Sequence, residues 1–376
     1  MRVLVTGGAG FIGSHLVDDL VQRGHEIVVL DNLDAQVHGS TAEPLLIADH
    51  VRSRRVVFLR ADVTDLAAVD GSLDGVAAVV HLAAAVGVGQ SMYRPHYYVH
   101  SNSEGTGVLL EALARRTDRP RKLVVASSMS LYGEGRYACP SCSGEDGRDR
   151  DEAQLRQGTW EVLCRRCNAE LRPMPTPESK SPALTSVYAA TKKHQEDLCV
   201  TFGRAHGLTT FALRFFNVYG SRQSLNNPYT GVAAIFLSRL LNDRAPLVFE
   251  DGLQSRDFVD VRDVARCLRL AVEFEGGGVH TLNVGTGRPT SVLEMAGTLA
   301  RLLGKPIAAQ LLQRFRVGDI RHCIADPTKA RELLGFEAAL RLEAGLPAVI
   351  DWSRRQTPED SVERSLVELE ERGLVQ

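Results

Sequence analysis

Three observations predict an α/β protein built on a doubly wound parallel sheet with a smaller C-terminal lobe. Short apolar runs at Val3–Val5, Ile27–Leu30, Val56–Leu59 and Val79–Val80 alternate with segments of helical period. Such unbroken runs suit parallel strands buried on both faces and joined by crossover helices. A glycine-rich turn, T-G-G-A-G-F-I-G at 6–13, separates the first run from the first helical segment. The length of 376 residues exceeds one ordinary domain and leaves room for a full sheet and a second lobe.

Taken in chain order, Leu16, Val17, Leu20 and Val21 form one stripe of a helix from Ser14 to Arg23, and Gly24 stands where that helix would stop. Further strands are predicted at Lys122–Ser127, Phe211–Phe216 and Thr281–Val284, and further helices at Thr106–Arg116 and Lys192–Ala205. Between Tyr137 and Ser181 the pattern gives way to Gly, Ser, Pro, Arg and acidic residues with four cysteines, which marks an insertion at 137–181. The main domain then spans 1–225, and 226–376 is a lobe interleaved with the last strands.

An apolar content of 44% with 24% charged residues excludes a mainly disordered chain. Lys and Arg total 44 against 46 Asp and Glu, a net charge of -2, so no global positive field exists to hold a nucleic-acid backbone. The most apolar stretch, Val76 to Gly89, is interrupted by His81 and is shorter than the roughly 20 residues of a spanning helix. No membrane span is expected. The opening MRVLVTGGAG lacks the basic start and long apolar run of an export signal, and a cytoplasmic location is expected.

Gly7, Gly10 and Gly13 supply what a dinucleotide requires: a tight turn, a bare backbone beside the pyrophosphate, and a helix N-terminus packed close to the strand. Asp31 ends the second predicted strand, where a carboxylate can accept both ribose hydroxyls. That acid repels a 2′-phosphate and is followed by Asn32 instead of Arg, so NAD is expected over NADP. Asp62 after the third strand either meets the adenine or caps a helix.

Ser127 and Ser128 end a predicted strand, and Tyr188-Ala189-Ala190-Thr191-Lys192 opens a helical stretch. Tyr188 and Lys192 share one helical face. A free phenol has a pKa of about 10, so a tyrosine acting as a base near neutrality needs an adjacent cation, which a lysine one turn on provides. The Ser128 hydroxyl would share the proton path to a substrate alcohol.

Together with H-L-A-A at 81–84, Asn102 in N-S-E-G-T, S-S-M-S-L-Y-G at 127–133, R-F-F-N-V-Y-G at 214–220, R-D-F-V-D-V-R-D at 256–263 and R-V-G-D at 316–319, these motifs resemble the extended short-chain dehydrogenase/reductase family of nucleotide-sugar epimerases and dehydratases. The resemblance covers nearly the whole chain and implies a Rossmann-type sheet with a catalytic Ser128, Tyr188 and Lys192. It implies NAD contacts at Gly7, Gly10, Phe11, Ile12, Gly13, Asp31, Asn32, Asp62, Val63, Leu82, Ala83, Ala84, Asn102, Tyr188 and Lys192. It places the nucleotide-sugar substrate against Ser128, Met129, Asn217, Arg256 and Arg316, the planar guanidinium groups matching phosphate oxygens. Val317 stands where the family commonly has proline. The helix near 102–116 and the Tyr188 helix correspond to the pair that makes a homodimer in relatives.

The family's 4,6-dehydratases carry an Asp-Glu pair directly after the catalytic hydroxyl residue; here Met129 and Ser130 occupy those positions, and neither exchanges a proton usefully near neutrality. The Glu of decarboxylating relatives and the Cys of C3/C5 epimerases are missing from that turn too. What remains is 4-epimerisation: oxidation at C4, turning of the ketose, and hydride return to its other face. Net oxidation or reduction is the alternative. D-N-L-D-A-Q-V-H-G at 31–39, A-A-V-G-V-G-Q-S-M-Y at 84–93, S-S-M-S-L-Y-G-E-G at 127–135 and N-P-Y-T-G-V at 227–232 resemble the subgroup that acts on dTDP-L-rhamnose. A dTDP-6-deoxyhexose is therefore expected, with a UDP-hexose as competitor.

Cys139-Pro-Ser-Cys142 and Cys164-Arg-Arg-Cys167 are two C-x-x-C pairs, and four thiolates suit tetrahedral zinc in a closed, structural site. Redox-active pairs or unrelated thiols are the alternative. Cys199, Cys267 and Cys323 read as buried thiols. The insertion joins the serine motif to the tyrosine helix, which places it beside the sugar pocket. A zinc-bearing insert also suits a binding module without turnover; the intact Ser128, Tyr188 and Lys192 favour the enzyme.

Overall fold

Seven parallel strands form the central sheet of the computed structural model, which describes residues 1–143, 150–227, 231–356, 360 and 362–376. They are β1 Arg2–Thr6, β2 Glu26–Asp31, β3 Val56–Arg60, β4 Ala78–His81, β5 Lys122–Ser128, β6 Thr209–Phe215 and β7 Val279–Val284. Each predicted strand is present, differing only at its ends. The helices beside them are α1 Phe11–Gln22, α2 Leu66–Ser72, α3 Gly105–Arg115, α4 Val187–His206, α5 Val232–Leu241, α6 Val261–Glu273, α7 Val292–Leu303 and α8 Leu342–Ser353.

In space the strands run β7-β6-β5-β4-β1-β2-β3. Val3 of β1 lies between Ile27 of β2 and Ala78 of β4. The chain winds outward in one direction through β3 and in the other from β4, so a crevice opens where the winding reverses, at the carboxyl ends of β1 and β4. Alternate side chains point to opposite faces. Val3 and Val5 meet Leu16, Val17 and Leu20 of α1 and Val264 and Leu268 of α6, while Leu4 and Val79 meet Leu109 and Leu113 of α3 and Cys199 of α4. Each fully buried leucine contributes roughly 2 kcal/mol through the water it excludes.

After β6 the chain builds α5, returns for α6 and β7, then leaves again. Phe236 and Leu240 of α5, Met295 and Leu299 of α7, and Leu346 and Ile350 of α8 make a separate core for this lobe. None of the described helices is long and apolar enough to cross a membrane.

The cysteine-bearing insertion lies outside the seven-stranded sheet, yet its stem is β-structure. Arg136–Ala138 pairs antiparallel with Arg172–Thr176, which pairs parallel with His322–Ala325. With Ser255–Arg256 and Thr290–Ser291 they form a second, five-stranded sheet. Pro173 and Pro175 mask Arg172–Thr176 as a strand in the sequence, because a proline cannot donate to a ladder. Of the N-P-Y-T-G-V motif, Pro228, Tyr229 and Thr230 lie outside the described residues.

Candidate active site

The crevice is a cleft of about 460 Å³ running from the glycine turn to Ser128, Tyr188 and Asn217. α1 starts at Gly10 with no side-chain cap and no acid in its first turn, so the positive end of the helix is left to face the cleft. The three glycines serve different ends. Gly7 has φ 70° and a Cβ there would lie 2.7 Å from the Ala83 amide; at Gly13 it would lie 2.3 Å from the Gly7 carbonyl oxygen. At Gly10 the nearest atom would be at 3.4 Å, an ordinary contact. The protein itself has room for a side chain at Gly10, and its absence leaves the cleft floor bare, as a pyrophosphate requires.

Asp31 accepts the Ala9 amide on Oδ2 at 3.0 Å and the Leu33 amide on Oδ1 at 2.9 Å. Burial pushes its pKa up against the pull of these amides and of His38, and two amides leave lone pairs for a ribose diol. Asn32 donates to Asp62 at 2.8 Å. Asp62 lines the cleft and accepts the Thr64 amide and hydroxyl; these bonds, with Asn32, outweigh burial and lower its pKa. The cap of α2 is Asp65. Phe11, Ile12, Val63, Leu82, Ala83 and Ala84 line the same cleft. Asn102 is fully buried in the wide turn Val99–Glu104. It accepts the Ala85 amide at 2.7 Å and donates to the Ala85 carbonyl at 3.1 Å and the Thr191 hydroxyl at 2.9 Å, tying the end of β4 to α4.

α4 begins where the Ser186 hydroxyl accepts the Ala189 amide, and Gly207 closes it at φ 66°. Tyr188 and Lys192 are thereby one turn apart, both in the cleft opposite Ser128 at the end of β5. The Ser128 oxygen accepts the Ser130 amide at 3.1 Å and the Ser130 hydroxyl at 2.9 Å, so its own proton is free for the Tyr188 phenol. Burial pushes Tyr188 up to about 12, with Ser128 pulling the other way. Burial brings Lys192 down to about 8, opposed by Cys199 and Glu196. The Lys192 ammonium donates to the Gln195 carbonyl at 2.6 Å. The Gln195 amide donates to Thr106 at 2.9 Å and sits 3.2 Å from His81, a ring that burial and then Lys192 keep neutral, with a pKa of about 3. Burial thus favours the protonated phenol at Tyr188, whose acidity rises with added positive charge.

Met129 and Asn217 also line the cleft. The Asn217 side-chain oxygen is buried with no hydrogen-bond partner among the described residues, an acceptor available to a ligand. Arg256 and Arg316 lie outside this lining and meet on one carboxylate: Arg256 donates to Asp319 Oδ1 at 3.2 Å and Arg316 to Oδ2 at 2.6 Å. Burial works against the Asp319 charge, but Arg316 and Arg256 hold it down to about 2. Arg256 precedes Phe258, which lines the cleft and pairs with Asn217.

Gln195, Gln223 and Phe258 join the site without having been expected there. Gln195 lies on the helical face of Tyr188 and Lys192, a readable signal, whereas Gln223 and Phe258 reach the cleft through long-range packing that leaves no periodic trace.

The Sγ atoms of Cys139, Cys142, Cys164 and Cys167 all lie within 4.8 Å of one another. The Ser141 amide donates to Cys139 and the Arg166 amide to Cys164, both at 3.4 Å. Backbone amides, Cys167 first and Arg166 next, lower the Cys164 thiol to about 6. Four convergent sulfurs, two of them amide-stabilised, suit a closed tetrahedral metal site. Cys199, Cys267 and Cys323 are buried apart from them.

The NAD dependent epimerase/dehydratase family model matches residues 3–151 and 169–285. A dTDP-L-rhamnose 4-epimerase of Burkholderia thailandensis is 34% identical over 355 residues, covering 93% of this chain and 94% of its own. A UDP-glucose 4-epimerase of Thermotoga maritima, solved with UDP-glucose, shares 32% identity at a TM-score of 0.76, over 94% of this chain and 99% of that one. A UDP-glucose 4-epimerase of Thermus thermophilus, solved with NAD, shares 30% identity at a TM-score of 0.73, over 95% and 100%.

Proposed function

Because the chain belongs to the NAD dependent epimerase/dehydratase family and is an NAD-dependent nucleotide-sugar 4-epimerase, we propose that it inverts C4 of a dTDP-6-deoxyhexose such as dTDP-L-rhamnose. The observation that carries the reaction is the convergence of Ser128, Tyr188 and Lys192 on one cleft, with no acid or base directly after Ser128. For the sugar, Val86, Val88 and Met129 bring apolar surface to the cleft, which suits a C6 methyl better than a hydroxymethyl or carboxylate, in keeping with the Burkholderia relative. A UDP-hexose is the competing substrate, supported by the Thermotoga relative.

Bound NAD supplies a hydride acceptor at C4 and, within the same turnover, the donor. The protein's residues do the rest. The glycine turn and α1 hold the pyrophosphate, and Asp31 the adenosine ribose. Tyr188 takes the C4 hydroxyl proton and later returns it, with Ser128 bonded to the same oxygen and the Lys192 ammonium favouring the phenolate. Asn217, Arg256 and Arg316 tether the nucleoside diphosphate while the 4-keto sugar turns its other face to the cofactor.

Cys139, Cys142, Cys164 and Cys167 would hold a structural Zn2+; a sulfur cluster within 4.8 Å supports this, and metal analysis of reduced protein should find about one equivalent. We place the enzyme in the cytoplasm, as a homodimer through the outer faces of α3 and α4, which light scattering would test. The deciding experiment is proton NMR of the protein with dTDP-L-rhamnose and separately with UDP-glucose, without added cofactor. Inversion of the H4 coupling in the first is expected. Inversion of UDP-glucose alone, or of neither, overturns the deoxyhexose assignment.

A further inference from the structure

We propose that Arg150, carried on the cysteine-bearing insertion, is a positioning residue for nucleotide-sugar binding, acting through Asp319 on the two arginines that receive the substrate diphosphate. The proposal rests on the reading of Arg256 and Arg316 given above.

Although Arg150 belongs to an insertion, its side chain is 3% exposed. Its guanidinium reaches four residues. Nη1 donates to Glu250 Oε1 at 2.8 Å and to the Trp160 carbonyl at 3.2 Å, and Nη2 donates to the Asp319 carbonyl at 2.9 Å. Nε lies 3.3 Å from Glu134. Asp319 is thus gripped by its backbone from the insertion, while its carboxylate holds Arg256 on one oxygen and Arg316 on the other.

A second tie brackets the same stretch. Glu161, also on the insertion, accepts from the fully buried Arg321 at 2.6 Å and lies 3.1 Å from His322, and the Arg321 carbonyl accepts from Arg256 at 3.0 Å. The insertion therefore contacts the segment 319–322 that sets both guanidinium groups. Two like charges held on a shared carboxylate before a diphosphate arrives are preorganised, which removes part of the ordering cost of binding. Removing the Arg150 fork would leave the Asp319 carbonyl without this donor and Glu250 without the Arg150 charge, with Arg321 still on its other oxygen; losing a charged hydrogen bond of this kind costs enough to change binding about ten-fold.

The test uses the full chain with its metal. For Arg150→Ala, titration with dTDP and separately with UDP should show about ten-fold weaker binding of whichever nucleotide the wild type prefers, and KM for the inverted sugar should rise in step. kcat, bound NAD and metal content should stay within about two-fold. Arg150→Lys keeps a charge opposite Glu250 but lacks the planar fork, so it should give an intermediate loss and decides the matter if the alanine variant does not fold. Unchanged nucleotide affinity in the folded Arg150 variants overturns the proposal, as does a parallel fall of kcat and NAD binding at unchanged KM. Arg256→Ala separates the two readings. If it also leaves nucleotide affinity unchanged, the diphosphate assignment falls and this proposal with it; if it alone weakens binding, only the proposal falls.

Discussion

Tyr188 shows how one residue's environment sets its chemistry. Burial pushes its phenol up to about 12, so positive charge must bring it within reach of neutral pH. Tyr188→Phe should lower kcat by about 10²- to 10⁴-fold with NAD still bound, read by the NMR assay and cofactor absorbance. A cation favours the phenolate, so Lys192→Met should raise the phenol pKa. The rise of kcat with pH should then move to higher pH by about a unit or more, and activity at pH 7 should fall. The glycines make a paired test. Gly13→Ala forces a Cβ to 2.3 Å from a carbonyl oxygen and should cost about 1–3 kcal/mol of stability. Gly10→Ala meets nothing closer than 3.4 Å, so it should leave the melting temperature nearly unchanged and weaken NAD alone.

Between elements, charge does the joining. The insertion meets the C-terminal lobe through Glu161, Arg150, Glu250, Asp251 and Arg321. Glu161 is held down to about 2, because hydrogen bonds from His322 and Arg321 and the Arg321 charge outweigh burial. A carboxylate with a lowered folded pKa stabilises the fold fully above its ordinary value and loses that contribution as pH falls through the folded one. Asp319 behaves alike. Contact between insertion and lobe should therefore weaken between about pH 4.5 and 2, seen as faster amide exchange at residues 150–167, and Glu161→Gln should flatten that dependence. In the same way, Arg172–Thr176 is a strand because partners on both sides complete it, although two prolines argue against it locally.

For the molecule as a whole, the two cores and the insertion answer to different forces. The seven-stranded sheet is held by apolar layers on both faces, whereas the insertion has a small cluster of Tyr137, Cys139, Val162, Cys164 and Leu171. A core that small needs a staple. Chelation of the proposed Zn2+ under reducing conditions should open residues 150–170 to protease while NAD stays bound and the main thermal transition persists; joint loss of both would show that the insertion supports the whole sheet.

Patterns that act over a few residues were legible in the chain. Apolar runs specified the strands, because burial on both faces leaves no polar position. Glycine spacing specified the turn, because a missing Cβ is a local property, and Tyr188 with Lys192 and the two C-x-x-C pairs needed only one helical turn or one knuckle. Folding alone brought Arg256 onto Asp319, 63 residues away, tied Asn102 to Ala85 and Thr191, and carried Arg150 to a carbonyl 169 residues away. Such meetings depend on how separated segments pack, and no periodicity in a linear chain records which distant partners a buried charge or amide will find.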